Sequence, residues 1–322
     1  MFAACALLVL SAPASEWSVV ADDDAVRVAC DGAPVIAYRV AMTEPPPEID
    51  RPVAGNGFVH PVHTPGGAVV TDDFPDDHPH QHGLFHAWTR TQFRGHRVDF
   101  WNTHKGLGRV EHEAIRELAA TSRGVRIVVT LTHRDRTTTP PVVAMREQRT
   151  LGVHRVAEAN VIDWTTRLWC GTDDPITFEK YLYGGTACRG AAGWSIAAGH
   201  RFVTPGGDDR LQQNHQPTRW VASTGPVDGE PRTIVMLSHR ENLRSPQPAR
   251  LHPEMPYFVF SPTVNQPYTL RPDETLVLRY RYLIHDGEPD AAQIAEWLAD
   301  YDAEPSAATV SRSGGRLEKS AR

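Results

Sequence analysis

The chain is poor in cysteine, with four in 322 residues, and it contains neither a C-x-x-C pair nor an H-E-x-x-H motif. So few cysteines exclude a disulfide scaffold, and the missing motifs remove the usual thiolate zinc or redox site and the commonest zinc-hydrolase signature. Positive charge is also not in excess. Lys+Arg 33 against Asp+Glu 39 gives a formal net charge of −6, which argues against nucleic acid as a partner. No apolar run reaches the roughly 18 residues that would suggest a membrane-spanning helix. No repeat of fixed period divides the chain, and charged residues at 22% with hydrophobic residues at 40% exclude wholesale disorder.

What is present is a turn-rich pattern, with 26 prolines and 24 glycines. Between the turns lie short strands. Val26–Cys30 and Pro34–Val40 flank Asp31-Gly32, a type I′ hairpin signal. Residues 124–133 alternate, with Val125, Ile127, Val129 and Leu131 on one face. Comparable runs cover 107–119, 142–152, 155–164, 175–183, 231–238 and 273–285. One helix is expected over 289–302, where Ile294, Trp297, Leu298 and Tyr301 fall at i, i+3, i+4 and i+7. The fold expected is all-β, a single large antiparallel β-sandwich over residues 15–302 with one C-terminal helix. Residues 1–14, an apolar run followed by Ser11-Ala12-Pro13-Ala14, read as a signal peptide and imply a periplasmic or secreted protein. Residues 303–322 read as a disordered tail.

Nine of the 16 histidines lie between His60 and His112, most densely in Asp76-Asp77-His78-Pro79-His80-Gln81-His82-Gly83-Leu84-Phe85-His86-Ala87-Trp88. If that stretch is extended, His78, His80, His82 and His86 share one face. Three readings stay open. The imidazoles could be part of a metal shell, since they suit zinc, copper, nickel or iron. They could line a sugar-binding pocket as hydrogen-bonding and acid–base groups. They could instead be structural, satisfied by Asp72, Asp73, Asp76 and Asp77. Downstream, Asp99 and Trp101 alternate onto one face, a carboxylate beside a flat ring that suits a sugar. The alternative is a capped turn next to core aromatics. Arg189 follows the flexible Gly184-Gly185, and Arg250 and His252 share a proline-rich loop, so all three could bind substrate oxygens.

Residues 70–85, Val98-Asp99-Phe100-Trp101, Gly184 to Arg189, Pro248 to Pro253 and Tyr280 to Gly287 resemble the bacterial PmoA-like family over most of 17–302. The resemblance implies a histidine at position 81 and an arginine at 82, where this chain has Gln81 and His82. The family's common label, methane oxygenase, implies membrane spans, which this soluble β pattern does not contain. The closing strand and helix also look like sugar-binding β-sandwiches of the galactose-mutarotase type. The leading reading is an exported carbohydrate-active enzyme, an epimerase, lyase or hydrolase. His78, His80 and Asp99 would be catalytic, and His82, His86, Trp88, Trp101, Arg189, Arg250 and His252 would bind a small-molecule or oligosaccharide substrate. A metal-dependent enzyme with a His-bound divalent ion and a non-catalytic carbohydrate-binding protein are the alternatives. No other cofactor is implied.

Overall fold

The computed structural model describes residues 15–304 and 310–312. The expected signal peptide over 1–14 lies outside the described residues, as does most of the expected disordered tail. Within 303–322, Ala303 ends a helix and Val310–Arg312 pair with Glu274–Leu276. The expected all-β sandwich is what the chain forms. Among the described residues one nine-stranded antiparallel sheet runs, in spatial order, Trp17–Ala21, Ala25–Cys30, Ala33–Arg39, Val59–Val62, Leu84–Trp88, Gly184–Arg189, Tyr257–Phe260, Gln247–Leu251 and Pro217–Thr218. The second large sheet runs Arg201–Val203, Trp220–Val227, Glu230–Ser238, Glu274–Asp286, Ala159–Cys170, Val142–Val156, Gly124–Asp135 and Gly108–Thr121. A four-stranded sheet of Tyr268–Leu270, Ile176–Phe178, Thr91–Phe93 and His96–Val98 stands beside them.

Period-two patterning decides what faces inward. Val125, Ile127, Val129 and Leu131 enter the main core, where they meet Val28, Ile36, Tyr38 and Phe258 of the other sheet. At the expected hairpin Asp31 (φ 53) and Gly32 (φ 77) both adopt the left-handed conformation that a type I′ turn requires. The helix Ala291–Ala303 is capped by Asp290, whose carboxylate accepts from the Gln293 amide at 2.8 Å. Its apolar stripe packs on the outer face of the second sheet, against Val161, Val235 and Leu283. Among the described residues no helix is long and apolar enough to cross a membrane. Cys30, Cys170 and Cys188 are buried free thiols.

A charged cluster sits inside the main core. Glu147 accepts from Arg149 Nε at 2.8 Å, Thr166 Oγ1 at 3.1 Å and His133 Nε2 at 2.9 Å, and all three charged or basic side chains are fully buried. The Arg149 guanidinium also donates to the Gly57 carbonyl and lies 4.3 Å over the Trp164 ring. Burial alone would raise the Glu147 carboxyl; Arg149 and the His133 bond outweigh it and hold the group far below the carboxylate range.

Candidate functional site

The site lies on the outer face of the first sheet. Alternation sends Leu84 and Cys188 into the main core and leaves Phe85, Ala87, Ala187, Tyr257 and Val259 on the opposite face. There they pack with Phe58 and Trp101 into a small apolar floor. Segments 72–83, 99–107, 179–183 and 250–257 build the walls.

The 76–86 stretch is not one extended strand, as the spacing suggested. Only Leu84–Trp88 is a strand, and turns precede it. The His78 amide donates to the Pro75 carbonyl at 3.0 Å and the Gln81 amide to the His78 carbonyl at 2.9 Å. Pro75 and Pro79 each fix φ and lack a donor, which favours turns over a ladder. The shared face is therefore lost. His78 and His80 face an outer cleft, while His82 is turned away between Phe58 and Phe74, with ring centroids 4.5 and 4.8 Å distant. His86 is 2% exposed behind the floor, its Nδ1 2.9 Å from Thr186 Oγ1.

Four imidazoles form a row, and the middle two, His78 and His80, line the outer cleft. The centroids of His252 and His78 are 5.9 Å apart, those of His78 and His80 5.6 Å, and those of His80 and His104 5.2 Å. They come from three segments distant in sequence. The cleft, of ≈ 530 Å³, is also lined by Gln81, Trp101, Asn102, Lys105 and Tyr183. Burial and the neighbouring His78 lower His80 to about 3, and burial with Arg250 lowers His252 to about 4. Burial also lowers His78 against the pull of Asp77, and lowers His104 with help from Lys105. At neutral pH the row is uncharged, so each ring offers one donor and one acceptor. His252 spends its acceptor on the Met255 and Glu254 amides, at 3.1 and 3.2 Å, which leaves the proton on Nε2.

Arg189 holds the turn segment in place, donating to Gln81 Oε1 at 3.1 Å and to Asp77 Oδ2 at 3.1 Å. Arg250 donates to the Leu251 carbonyl at 2.9 Å and to Tyr183 Oη at 3.3 Å. Asp99 has both oxygens occupied. Oδ1 accepts from the Trp101 and Asn102 amides, and Oδ2 accepts from Asn102 Nδ2 and Lys105 Nζ, each at 2.8 Å. Burial would raise its carboxyl, but the Asn102 and Lys105 bonds prevail and lower it. Asp99 thus organises the loop that carries Trp101 and Lys105, and it makes no hydrogen bond to a histidine.

Trp88 requires correction as part of a stacking wall: it is 1% exposed and stacks on Phe178 at 4.0 Å inside the core. Trp101 does line the cleft, but it is only 4% exposed. The half-buried rings at the rim are Tyr181 and Tyr183, which sequence reasoning passed over together with His104 and Lys105. His104 belonged to the histidine-rich stretch and could have been found there; the tyrosines carry no local signal. Among the described residues no three His, Cys, Asp or Glu side chains gather so as to hold a metal ion.

A family model described as "Family of unknown function (DUF6807)" matches residues 25–299. This match overturns the resemblance to the PmoA-like family drawn from the His-Pro-His segment and its companions. No curated protein matches the chain. Among solved structures, the GH36 alpha-galactosidase AgaB from Geobacillus stearothermophilus is similar with a TM-score of 0.37 and 9% identity. The likeness covers 84% of this chain and 41% of that one. The GH36 alpha-galactosidase AgaA A355E D548N from the same organism, in complex with raffinose, gives 0.33 and 11% over 84% and 41%. This chain therefore aligns with about two fifths of each.

Proposed function

The chain belongs to the DUF6807 family, and we propose that it is an exported carbohydrate-active enzyme that binds a sugar in the outer cleft and moves a proton with histidine. The observation that carries this reading is the row of four imidazoles, two of which line the cleft, each with its basicity lowered by burial. A sugar presents many neutral hydroxyls, each both donor and acceptor, and neutral imidazoles match that chemistry. The nearby cations are largely spoken for: Arg189 by Asp77 at 3.0 Å and Lys105 by Asp99 at 2.8 Å. Such pairing favours an uncharged ligand over a polyanion. Tyr181 and Tyr183 supply rims against which a C–H face can lie. The apolar run ahead of Ser15 supports export.

His80 and His78 are the proton-transfer candidates of this cleft. His78 lies 3.7 Å from Asp77, whose carboxylate would steady a charge arriving on the ring. Asp99, Arg189 and Arg250 act by holding the walls, and His252 presents Nε2–H to a sugar oxygen. The test is turnover on a panel of neutral glycans. His80→Ala is expected to lower kcat/KM by at least about 10²-fold, the usual contribution of a placed acid–base group. A change within about threefold, or saturable binding with no turnover by the unaltered protein, overturns the assignment.

A further inference from the structure

A second, small cavity lies behind His80 and Trp101, which line both spaces. It opens where the first sheet splits. Strand Val59–Val62 is in register with Leu84–Trp88 only at Val59↔Leu84, and residues 55–58 and 85–87 then line opposite sides of the gap. The walls are mainly apolar, with Phe58, Phe85, Phe100 and Val110. Yet three buried nitrogens of its lining residues find no hydrogen-bond partner: His82 Nε2, His86 Nε2 and Arg109 Nε. Unsatisfied polar atoms in an apolar chamber are costly, and a ligand that pairs with them recovers that cost.

His82 is held differently from the outer row. Its Nδ1 donates to Asp73 Oδ1 at 2.6 Å, with the two side chains 8% and 11% exposed. A carboxylate at Nδ1 fixes the proton there, leaves the lone pair on Nε2, and stabilises the charge the ring gains on taking a second proton. Gly55 faces that lone pair. A Cβ at Gly55 would stand 3.2 Å from Nε2, so the missing side chain leaves room there for one atom at hydrogen-bond distance. Gly55 is not among the glycines with positive φ, so backbone conformation does not call for glycine at this position.

We propose that the Asp73–His82 pair is a proton acceptor serving this inner chamber, and that the chamber takes a hydroxyl-bearing carbon of an uncharged polyol, which is the sugar of the outer cleft insofar as the reading above holds. In the transfer, the ligand O–H bond breaks and an Nε2–H bond forms. The electron pair stays on the ligand oxygen, which Arg109 Nε–H meets as donor. His86 Nε2 pairs with a neighbouring oxygen, and the reverse transfer returns the proton. Asp73 is a positioning residue, acting through His82.

Two measurements test this. In histidine-15N-labelled protein titrated with ethylene glycol, a two-carbon diol, His82 should be the Nδ1–H tautomer and its Nε2 signal should shift saturably. Gly55→Ala should abolish that shift and His252→Ala, which does not line the chamber, should leave it. An Nε2–H tautomer, or a shift unaffected by Gly55→Ala, overturns the chamber. On a glycan that the unaltered enzyme turns over, Asp73→Asn should lower kcat about 10²-fold or more with KM within about threefold, and displace the acidic limb of the pH profile. If His80→Ala abolishes turnover while Asp73→Asn stays within threefold, the proton-acceptor role falls and the cleft reading stands. If no glycan is turned over while the diol response is seen, the sugar reading falls and the chamber stands.

Discussion

Two groups of polar side chains, one fully buried and one half-buried, are separated by the first sheet and differ in what they meet. In the main core Glu147, Arg149 and His133 meet each other: an anion, a cation and a ring joined by bonds of 2.8 and 2.9 Å. In the row at the outer cleft four imidazoles meet mostly other imidazoles, between 5.2 and 5.9 Å apart. Opposite charges close on each other in the main core, with His133 Nδ1 the ring atom left without a hydrogen-bond partner. Like rings with depressed basicity cannot satisfy each other and keep their donors and acceptors for something else. The first group is therefore read as structural and the second as functional, although both look equally odd as polar residues in a β-sandwich.

The largest expected effect tests the structural half. Glu147→Gln removes the anion that compensates Arg149, and breaking a buried pair typically costs about 3–5 kcal/mol; urea unfolding measures it, and a loss under about 1 kcal/mol would make the cluster dispensable. His80→Ala probes the other half: kcat/KM should fall at least about 10²-fold, near 2.7 kcal/mol of transition-state stabilisation, while unfolding shifts by no more than about 1 kcal/mol. A stability loss as large as that of Glu147→Gln would erase the distinction.

Acid should then act on rings whose burial outweighs any nearby anion. Burial lowers His86 and His200, which are 2% and 3% exposed, from 6.5 to about 3. The folded value is below the unfolded one, so as pH falls under about 6.5 the unfolded chain takes up the proton first. Stability is lost downward from there, by about 1.4 kcal/mol for each ring at one pH unit below 6.5. Unfolding curves between pH 7.5 and 5.5 measure this, and a flat profile contradicts it. Smallest of all is Lys105→Met. Its side chain is 47% exposed, so its ion pair with Asp99 should contribute under about 1 kcal/mol to stability. The variant should still weaken glycan binding, seen as a rise in KM.

Much of the scaffold was legible because its signals are local. The alternation at 124–133, the Asp31-Gly32 turn and the stripe from Ile294 to Tyr301 each depend on neighbours a few residues away. The histidine cluster was visible as composition, and it marked the right region. Its geometry was not, because period two holds only while the chain is extended. The turns at Pro75 and Pro79 reset the phase, so His78 and His80 parted from His86 and Trp88. Tyr183 and His252 reach the cleft from strand ends more than 75 residues beyond Trp101, through sheet order that no local pattern encodes. Asp99 shows the limit from the other side: a carboxylate beside an aromatic reads as catalytic until its oxygens are found occupied by its own loop.

The most direct test of the contrast between the two groups is a titration of histidine-15N-labelled protein with neutral oligosaccharides, followed at each imidazole. The account predicts saturable shifts at His78, His80, His104 and His252, with the His133 signals unmoved. Shifts at His133 equal to those of the row, or a row that does not respond to any oligosaccharide, would contradict it.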